Sequence, residues 1–287
     1  MTQFVDKIKA HLNMRRRILF ESNPLSLSER LLSIGVLRPG SRIKNFILKR
    51  HHNEINNSYF KIGEFNIYYN PPYQVKDQNY LLQGISQVLA ESFVLPLIFN
   101  QQVQIKPGDI VIDLGGSIGT TALIFSKLVG PTGKVYVFEP VMHSVITQNL
   151  KANGITNVEV IGAAVSDKSG ELDIEVSDFC LDSSITKREY TKDYYSQSIR
   201  VPVISLDDFI AEKKINKIDF IKMDIEGAEE LALNGFQKNI DKFKPKWSIS
   251  SYHIDFENEP QHPKLMQILK KHNYQMEEVR AKHIFAW

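Results

Sequence analysis

The sequence predicts an α/β fold, with a mostly parallel seven-stranded sheet covered by helices on both faces. From residue 109 onward, short apolar runs alternate with segments of helical periodicity, which is typical of βα units. The last two apolar runs are separated by too few residues for a crossover, so the final strand must pair antiparallel. We predict strands over residues 109–114, 134–139, 158–164, 218–224, 246–252, 273–279 and 282–286, and helices over 117–129, 141–153, 206–213, 227–234 and 260–272.

The N-terminal third has a different pattern from the βα region. It predicts one or two helices over residues 1–35, a β-hairpin over 58–70 with its turn at Gly63–Glu64, and a helix over 79–100. We therefore divide the chain into an N-terminal helical and hairpin extension (1–100) and a ligand-binding domain (101–287). The extension is expected to cover the substrate or to form an oligomer contact.

Within the second domain, residues 166–200 read as an insertion. A strand pair, 171–176 and 199–203, is joined by a polar loop rich in serine and tyrosine. Because the insertion follows the carboxyl end of a strand, we expect it to cover the substrate.

Composition is that of a soluble globular protein, with 43% hydrophobic and 24% charged residues in 287. The single cysteine, Cys180, cannot form an intramolecular disulfide, which fits a reducing compartment. No apolar run is long enough to span a bilayer, and Asp6 and Lys7 interrupt any signal-peptide core. A cytoplasmic location is expected.

Charge is concentrated near the N-terminus. Residues 1–50 hold eleven lysines and arginines and three acids, a net charge of +8, whereas the remaining residues carry −6. A solvated amphipathic helix or a homo-oligomer contact explains this better than a peripheral contact with an anionic membrane or an acidic partner. The segment lacks interleaved aromatic residues for base stacking, so nucleic acid is not expected as a partner.

A glycine-rich turn between the first predicted strand and its helix is the most informative motif. Asp113 ends the strand, and Gly115, Gly116, Ser117 and Gly119 follow it. Glycines at such a turn allow a ligand to approach the backbone closely. About 20 residues further on, an acid, Glu139, ends the second strand, where it can accept hydrogen bonds from the hydroxyls of a ribose. Together these features predict a nucleoside-containing cofactor.

The order of residues in this motif distinguishes two cofactors. A dinucleotide site reads G-x-G-x-x-G, but here an acid, Asp113, precedes the glycines. A carboxylate there would repel a pyrophosphate, whereas it can accept hydrogen bonds from an ammonium group. S-adenosylmethionine carries an ammonium and a sulfonium and no phosphate, so it is favoured over NAD. An NAD-dependent oxidoreductase remains the alternative enzyme class.

A second motif places acids at the end of the fourth predicted strand. Asp224 and Glu226 follow the strand, and a helix opens at Gly227. Acids at the end of a buried strand are costly to desolvate, which makes them site candidates. Capping of the helix would account for Glu229 and could account for Glu226, but it explains Asp224 less well. His253 follows the fifth strand, so it should lie at the same edge of the sheet as Asp224.

With these motifs the chain resembles the FkbM family of S-adenosylmethionine-dependent methyltransferases. The resemblance extends over about residues 105–255, although Gly115-Gly116-Ser117 stands where the family usually has Gly-Ala-Asn. It implies a class I (Rossmann-like) methyltransferase fold and O-methylation of a hydroxyl on a sugar, a polyketide or another natural-product-like small molecule. The matching runs are 112–119, 138–140, 164–167, 205–208 and 219–229, together with His253.

Site roles follow from these positions. The glycine turn should hold the methionine end of the cofactor, with Asp113 facing its ammonium, and Glu139 should hold the ribose. Residues after the third strand should lie near the adenine. The predicted cofactor-binding residues are Asp113, Gly115, Gly116, Ser117, Gly119, Glu139, Ala164 and Asp167.

For the base that takes the acceptor's proton, the candidates are Asp224 and His253. No metal is expected, and a cation site of Asp224, Glu226 and His253 is the less favoured alternative. A non-catalytic protein that keeps the cofactor fold and acts through its basic N-terminal helices is a third hypothesis. The methyl acceptor has no recognisable motif in the sequence.

Overall fold

A computed structural model describes residues 59–62, 65–68, 98–177, 183–184, 195–255, 257, 259–279 and 283–287. The predicted helices within 1–35 lie outside this part of the chain, as does almost all of the predicted helix 79–100. Within the described residues, no helix combines the length and the apolar character needed to cross a bilayer.

Thirteen strands are present in the described residues. They are β1 (Tyr59–Ile62), β2 (Phe65–Tyr68), β3 (Ile110–Leu114), β4 (Lys134–Phe138), β5 (Val158–Ile161), β6 (Ala164–Val165), β7 (Gly170–Ser177), β8 (Ser183–Ser184), β9 (Tyr195–Ile204), β10 (Phe220–Met223), β11 (Lys246–Ser250), β12 (Met276–Val279) and β13 (His283–Ala286). The predicted hairpin is confirmed, since β1 pairs antiparallel with β2.

Six helices connect these strands in the described residues. They are α1 (Thr120–Val129), α2 (His143–Ala152), α3 (Leu206–Lys213), α4 (Glu229–Asn234), α5 (Ile240–Phe243) and α6 (Gln261–Lys271). The bounds of α3 are those predicted, because the Ser205 side chain accepts a hydrogen bond from the backbone N–H of Asp208 and so caps the first turn. The short helix α5 was not predicted.

Seven strands form the central sheet in the order β12-β13-β11-β10-β3-β4-β5. Neighbouring strands are parallel except at β13, which is antiparallel to both β11 and β12. The predicted mostly parallel sheet with a reversed last strand is therefore confirmed. β11, β10, β3 and β4 are adjacent and parallel, so the loops that follow these four strands open on one edge of the sheet.

Successive side chains of β3 point to opposite faces of this sheet. Val111 belongs to one core cluster, with Phe125 of α1, whereas Ile112 belongs to a second, with Trp247 of β11. Each face therefore buries its own apolar layer against helices, as expected for a parallel sheet with crossover helices.

The predicted C-terminal end of the third strand, 158–164, is wrong. β5 stops at Ile161, and Ala164 and Val165 form β6, which pairs with β9 in a separate four-stranded sheet ordered β6-β9-β7-β8. The break falls at Gly162 and Ala163, where the chain leaves the central sheet. The predicted strand pair of the insertion is confirmed, because β7 and β9 pair antiparallel over most of their length.

The hairpin is fixed to the central domain through two asparagines of α2 and the segment just after it. Asn149 Oδ1 accepts from Tyr68 N at 2.5 Å, and Asn149 Nδ2 donates to Tyr68 O at 3.0 Å. Asn153 makes the same pair of bonds with the backbone of Asn66, at 2.8 and 2.7 Å. The two side-chain amides thus satisfy the open edge of β2 much as a neighbouring strand would. Fully buried Asn149 also donates to Ile118 O at 2.7 Å, so it ties the hairpin to the glycine turn.

We expect Asn149→Ala to lower the free energy of unfolding by about 2–4 kcal/mol, since it leaves several buried backbone groups without partners. The exposed neighbour provides a matched control, and Gln148→Ala should change stability by less than about 0.5 kcal/mol. Urea unfolding of the three proteins measures both effects. Equal midpoints for the two variants would show that the amide does not hold the hairpin.

Candidate active site

The glycine turn packs against a second loop, which starts at Asp224. Gly115 has φ of 83°, and a Cβ at this position would lie 1.9 Å from the backbone oxygen of Asp224. A Cβ on Gly116 would lie 2.3 Å from a methyl group of Val137. The N–H groups of both glycines donate to Phe138 O, at 3.0 and 3.1 Å. Glycine is therefore required here by close approach on two sides, and the turn is held against β4 and β10.

Beneath this turn lies a buried ion pair. Asp113 is fully buried, its Oδ1 lies 3.3 Å from Lys222 Nζ, and its Oδ2 accepts from Thr121 Oγ1 at 2.5 Å. Lys222 Nζ also donates to Gly115 O at 2.7 Å. Burial lowers the pKa of Lys222, but the carboxylates of Asp113, Asp224 and Glu139 together outweigh this and raise the pKa above its usual value. Lys222 thus stays charged and links Asp113 to the backbone of the glycine turn.

This arrangement differs from the expected direct contact between Asp113 and the ammonium group of a ligand. The Asp113 side chain has no exposed surface, and a lysine of the chain itself faces its carboxylate. The sequence prediction did not consider Lys222. Asp113 can therefore influence a ligand through the turn that it supports.

Glu139 connects the glycine turn to the start of α2. Its Oε2 accepts from Ser117 N at 2.9 Å, and its Oε1 accepts from Val141 N and Met142 N at 2.9 and 3.1 Å. Burial raises the pKa of this carboxyl, and the three N–H groups act in the opposite direction. The residue lies directly after β4, beside the turn, where the sequence predicted a ribose contact. The Ser117 hydroxyl oxygen, next to it, is buried and has no hydrogen-bond partner among the described residues.

A fully buried acid, Glu229, shapes the loop after β10. Its Oε1 accepts from Ile225 N at 3.1 Å and from His253 Nδ1 at 2.8 Å. Its Oε2 accepts from Gly227 N at 3.1 Å and from Gln261 Nε2 at 2.7 Å. Four donors thus satisfy one carboxylate, which fixes both the loop and the ring of His253.

The other ring nitrogen of His253 faces two more carboxylates. Nε2 lies 3.7 Å from Asp224 Oδ1 and 3.5 Å from Glu226 Oε1. The loops after β3, β4, β10 and β11 form the rim of the site. Only 5% of His253 is exposed, whereas Asp224 and Glu226 are half-buried and reach this rim. Both His253 Nε2 and Asp224 Oδ1 are buried atoms without a hydrogen-bond partner in the described part of the chain. The structure therefore brings the two predicted catalytic residues together, with Glu226 beside them.

Electrostatics give this histidine an unusual pKa. Burial lowers the pKa of His253, but its contacts with Glu226 and Glu229 outweigh burial and raise it to about 11. His283 on β13 shows the opposite case, because burial outweighs the charge of Asp224 and lowers its pKa to about 4. The carboxylates around His253 thus favour a positive charge at Nε2.

The two residues predicted near the adenine, Ala164 and Asp167, follow β5, the edge strand of the central sheet. Ala164 is half-buried in β6, and the exposed Asp167 accepts a hydrogen bond from Ser166 Oγ at 3.2 Å. Their contact with a cofactor stays a prediction.

Two residues of the site were missed in the sequence. Lys222 is a lysine within an otherwise apolar, fully buried strand, and such a residue must be paired. Glu229 had been interpreted as a capping residue, and its bonds to His253 and Gln261 join elements far apart in sequence. Lys222 could thus have been found from its pattern, whereas the partners of Glu229 required the fold.

A sheet in this strand order, with one reversed strand and a glycine turn after β3, defines the class I methyltransferase fold. Residues 113–276 match the family model described as Methyltransferase FkbM domain, which is more than half of the chain. The chain therefore belongs to the FkbM methyltransferase domain family.

Similar proteins include two curated methyltransferases. The chain is 26% identical to the 2-O-methyltransferase NoeI of Sinorhizobium fredii, over 48% of this chain and 61% of the relative. It is 29% identical to the 31-O-demethyl-FK506 methyltransferase FkbM of Streptomyces tacrolimicus, over 47% of this chain and 62% of the relative. The matches thus span about three fifths of the length of these relatives. A crystal structure of methyltransferase FkbM from Methylobacillus flagellatus is similar over 75% of this chain and 56% of that chain, with 18% identity and a TM-score of 0.47.

We expect Lys222→Met to lower the free energy of unfolding by about 3–5 kcal/mol, because it leaves the buried Asp113 carboxylate unpaired. Adding Asp113→Asn in the same protein should restore part of the loss, since the uncompensated charge is then removed. Urea unfolding of both single variants and the double variant measures the coupling.

The half-exposed pair Lys217–Asp219 is a matched control, and Lys217→Met should cost less than about 1 kcal/mol. If Lys222→Met and Lys217→Met were equally mild, the ion pair beneath the turn would not be what holds it.

Proposed function

We propose that this protein is an S-adenosylmethionine-dependent O-methyltransferase, which transfers a methyl group to a hydroxyl of a sugar, a polyketide or another natural-product-like small molecule. The observation that carries the proposal is one edge of the sheet, where the glycine turn, Glu139 and the cluster of Asp224, Glu226 and His253 lie on four neighbouring loops. The names of the two relatives describe O-methyl transfer, which supports a hydroxyl acceptor.

The residues after β3 and β4 fit the cofactor. Gly115 and Gly116 leave no room for a side chain, and the buried Ser117 hydroxyl offers a polar atom without a partner among the described residues. In this proposal the turn contacts the methionine part, and Asp113 supports it from below through Lys222. Glu139 holds the ribose, because its Oε2 accepts only one backbone bond and keeps acceptor capacity beyond it.

The charge of this rim also fits the cofactor. The acids that reach the rim are Asp224 and Glu226, while the nearby Lys222 is neutralised by Asp113. A negative rim attracts a sulfonium and repels a pyrophosphate, which supports S-adenosylmethionine over NAD. Ala164 and Asp167, which follow β5, are proposed near the adenine.

In the proposed reaction the acceptor oxygen forms a bond to the methyl carbon while the bond from that carbon to sulfur breaks. The sulfonium becomes a neutral thioether, and the proton of the hydroxyl passes to the carboxylate of Asp224. Asp224 suits this role because it is half-buried and reaches the rim, whereas His253 lies behind it. His253 is proposed to position Asp224, with its own ring fixed by Glu229. Alignment of the two reactants supplies much of the rate enhancement.

Calorimetry of the full chain with S-adenosylhomocysteine and with NAD⁺ tests the cofactor. We expect saturable binding of S-adenosylhomocysteine at one site and none of NAD⁺, because the rim is acidic and the turn lacks the dinucleotide pattern. Binding of NAD⁺ with no response to S-adenosylhomocysteine would instead support an oxidoreductase.

Catalytic roles are tested with labelled S-adenosylmethionine and a panel of glycan and polyketide hydroxyl acceptors. Asp224→Asn should lower turnover about 10²–10⁴-fold, since it removes the proton acceptor, and His253→Ala should have a similar effect. Binding of S-adenosylhomocysteine should survive in both variants.

Matched controls are Asp241→Asn on α5, which leads into the opposite end of β11, and His262→Ala, whose ring bonds Ser251 and Glu278. Turnover like that of the wild type in Asp224→Asn and His253→Ala would remove both assignments.

A further inference from the structure

We propose that His253 Nε2, Asp224 and Glu226 form a binding site for one divalent cation of the Mg²⁺ or Mn²⁺ type. The site belongs to the rim described above, so its use in catalysis rests on the proposed methyl transfer. Its existence as a binding site does not depend on that function.

The first argument is the orientation of two buried atoms. His253 Nε2 and Asp224 Oδ1 face each other at 3.7 Å, and neither has a hydrogen-bond partner among the described residues. The histidine is 95% buried, so its nitrogen cannot turn to bulk solvent instead. Buried polar atoms without a hydrogen-bond partner are uncommon in proteins, and the distances from Nε2 to Asp224 and Glu226 are longer than hydrogen bonds, so a ligand between these groups would complete their contacts.

The second argument is the spacing of the ligand atoms. Nε2 lies 3.5 Å from Glu226 Oε1 and 3.7 Å from Asp224 Oδ1. Ligand atoms bound at the usual metal distances, near 2.0–2.2 Å, lie about 3–4 Å apart around the ion. Each carboxylate is therefore at a spacing from Nε2 that a shared cation allows, and the cation would displace the proton that these carboxylates favour on Nε2.

The third argument is the support of the histidine ring. His253 Nδ1 donates to Glu229 Oε1 at 2.8 Å, which leaves Nε2 as the nitrogen that faces the carboxylates. A histidine that binds a metal usually donates its other ring N–H to a carboxylate in this way. Glu229 also belongs, with Asp224 and His253, to a group of possible ligand atoms that lie within 4.8 Å of one another. Its oxygens already accept four hydrogen bonds, so we assign it to the support of His253.

The chemistry of the donors selects the class of cation. Two carboxylates and one imidazole form a hard to borderline set, without thiolates, and suit Mn²⁺ and Mg²⁺ better than Cu⁺. Both ions take six ligands, so water or an oxygen of the acceptor would fill the remaining positions. A cation here would lower the pKa of an acceptor hydroxyl that it contacts, and the oxygen of Asp224 that does not bind the cation would take the proton.

Calorimetry with MnCl2 on the full chain, after treatment with EDTA and desalting, tests the site. We expect one Mn²⁺ per chain in the wild type, with competition from MgCl2. His253→Ala and Glu226→Gln should each weaken binding at least tenfold, and Glu229→Gln should weaken it about 10–100-fold as a supporting residue. His262→Ala is the matched control and should bind Mn²⁺ like the wild type.

Thermal unfolding with and without Mn²⁺ gives a second readout. The wild type should be stabilised by Mn²⁺ and Glu226→Gln should not. Glu226 is half-buried at the rim, so this variant keeps the test available if His253→Ala does not fold. Absence of saturable Mn²⁺ binding in the wild type, or equal binding in the wild type, His253→Ala and Glu226→Gln, would overturn the cation site.

Binding of S-adenosylhomocysteine to the EDTA-treated protein separates this inference from the proposed function. If S-adenosylhomocysteine binds and Mn²⁺ does not, the cation site fails and the methyltransferase proposal stands. If Mn²⁺ binds at the predicted residues and S-adenosylhomocysteine does not, the site stands and the proposed function fails.

Discussion

The buried ion pair between Asp113 and Lys222 is the interaction on which the rest of the site depends. The two residues are register partners on the adjacent parallel strands β3 and β10. Their side chains meet beneath the glycine turn, and Lys222 also binds the backbone of Gly115. A buried pair of this kind adds little net stability compared with an apolar pair, but loss of one partner is costly. Its effect is therefore to specify one position for the turn.

That position in turn determines the geometry of the second loop. Gly115 approaches the backbone of Asp224 so closely that no Cβ fits, and Asp224 N donates to Leu114 O at 3.1 Å. The start of the loop after β10 is thus fixed in position. Glu229 fixes the rest of the loop by accepting hydrogen bonds from the backbone N–H groups of Ile225 and Gly227. Glu226 lies in this loop with φ of 53°, a left-handed conformation that costs a residue with a side chain about 1–3 kcal/mol. The surrounding bonds hold that conformation and turn its carboxylate toward His253.

The sequence predicted the architecture well because that information is local. Alternation of apolar and helical segments located all seven strands of the central sheet and the bounds of α3. The end of β5 was misplaced because the continuing apolar pattern does not show that the chain changes sheets. The site was predicted as a set of positions at one edge. The partners of those positions were not, because Lys222 meets Asp113 and Gln261 meets Glu229 across long sequence separations.

The charges around His253 determine which ligands the rim can bind. Asp224, Glu226 and Glu229 surround one imidazole, so with His253 protonated the four groups carry a net charge of −2. With a neutral imidazole and a divalent cation, the net charge would be −1. The rim stays negative toward a sulfonium in both states, which means that a cation at His253 and a cationic cofactor on the glycine turn are electrostatically compatible. The Asp113–Lys222 pair adds no net charge to this balance, and it can fix the turn without weakening the attraction for a positive ligand.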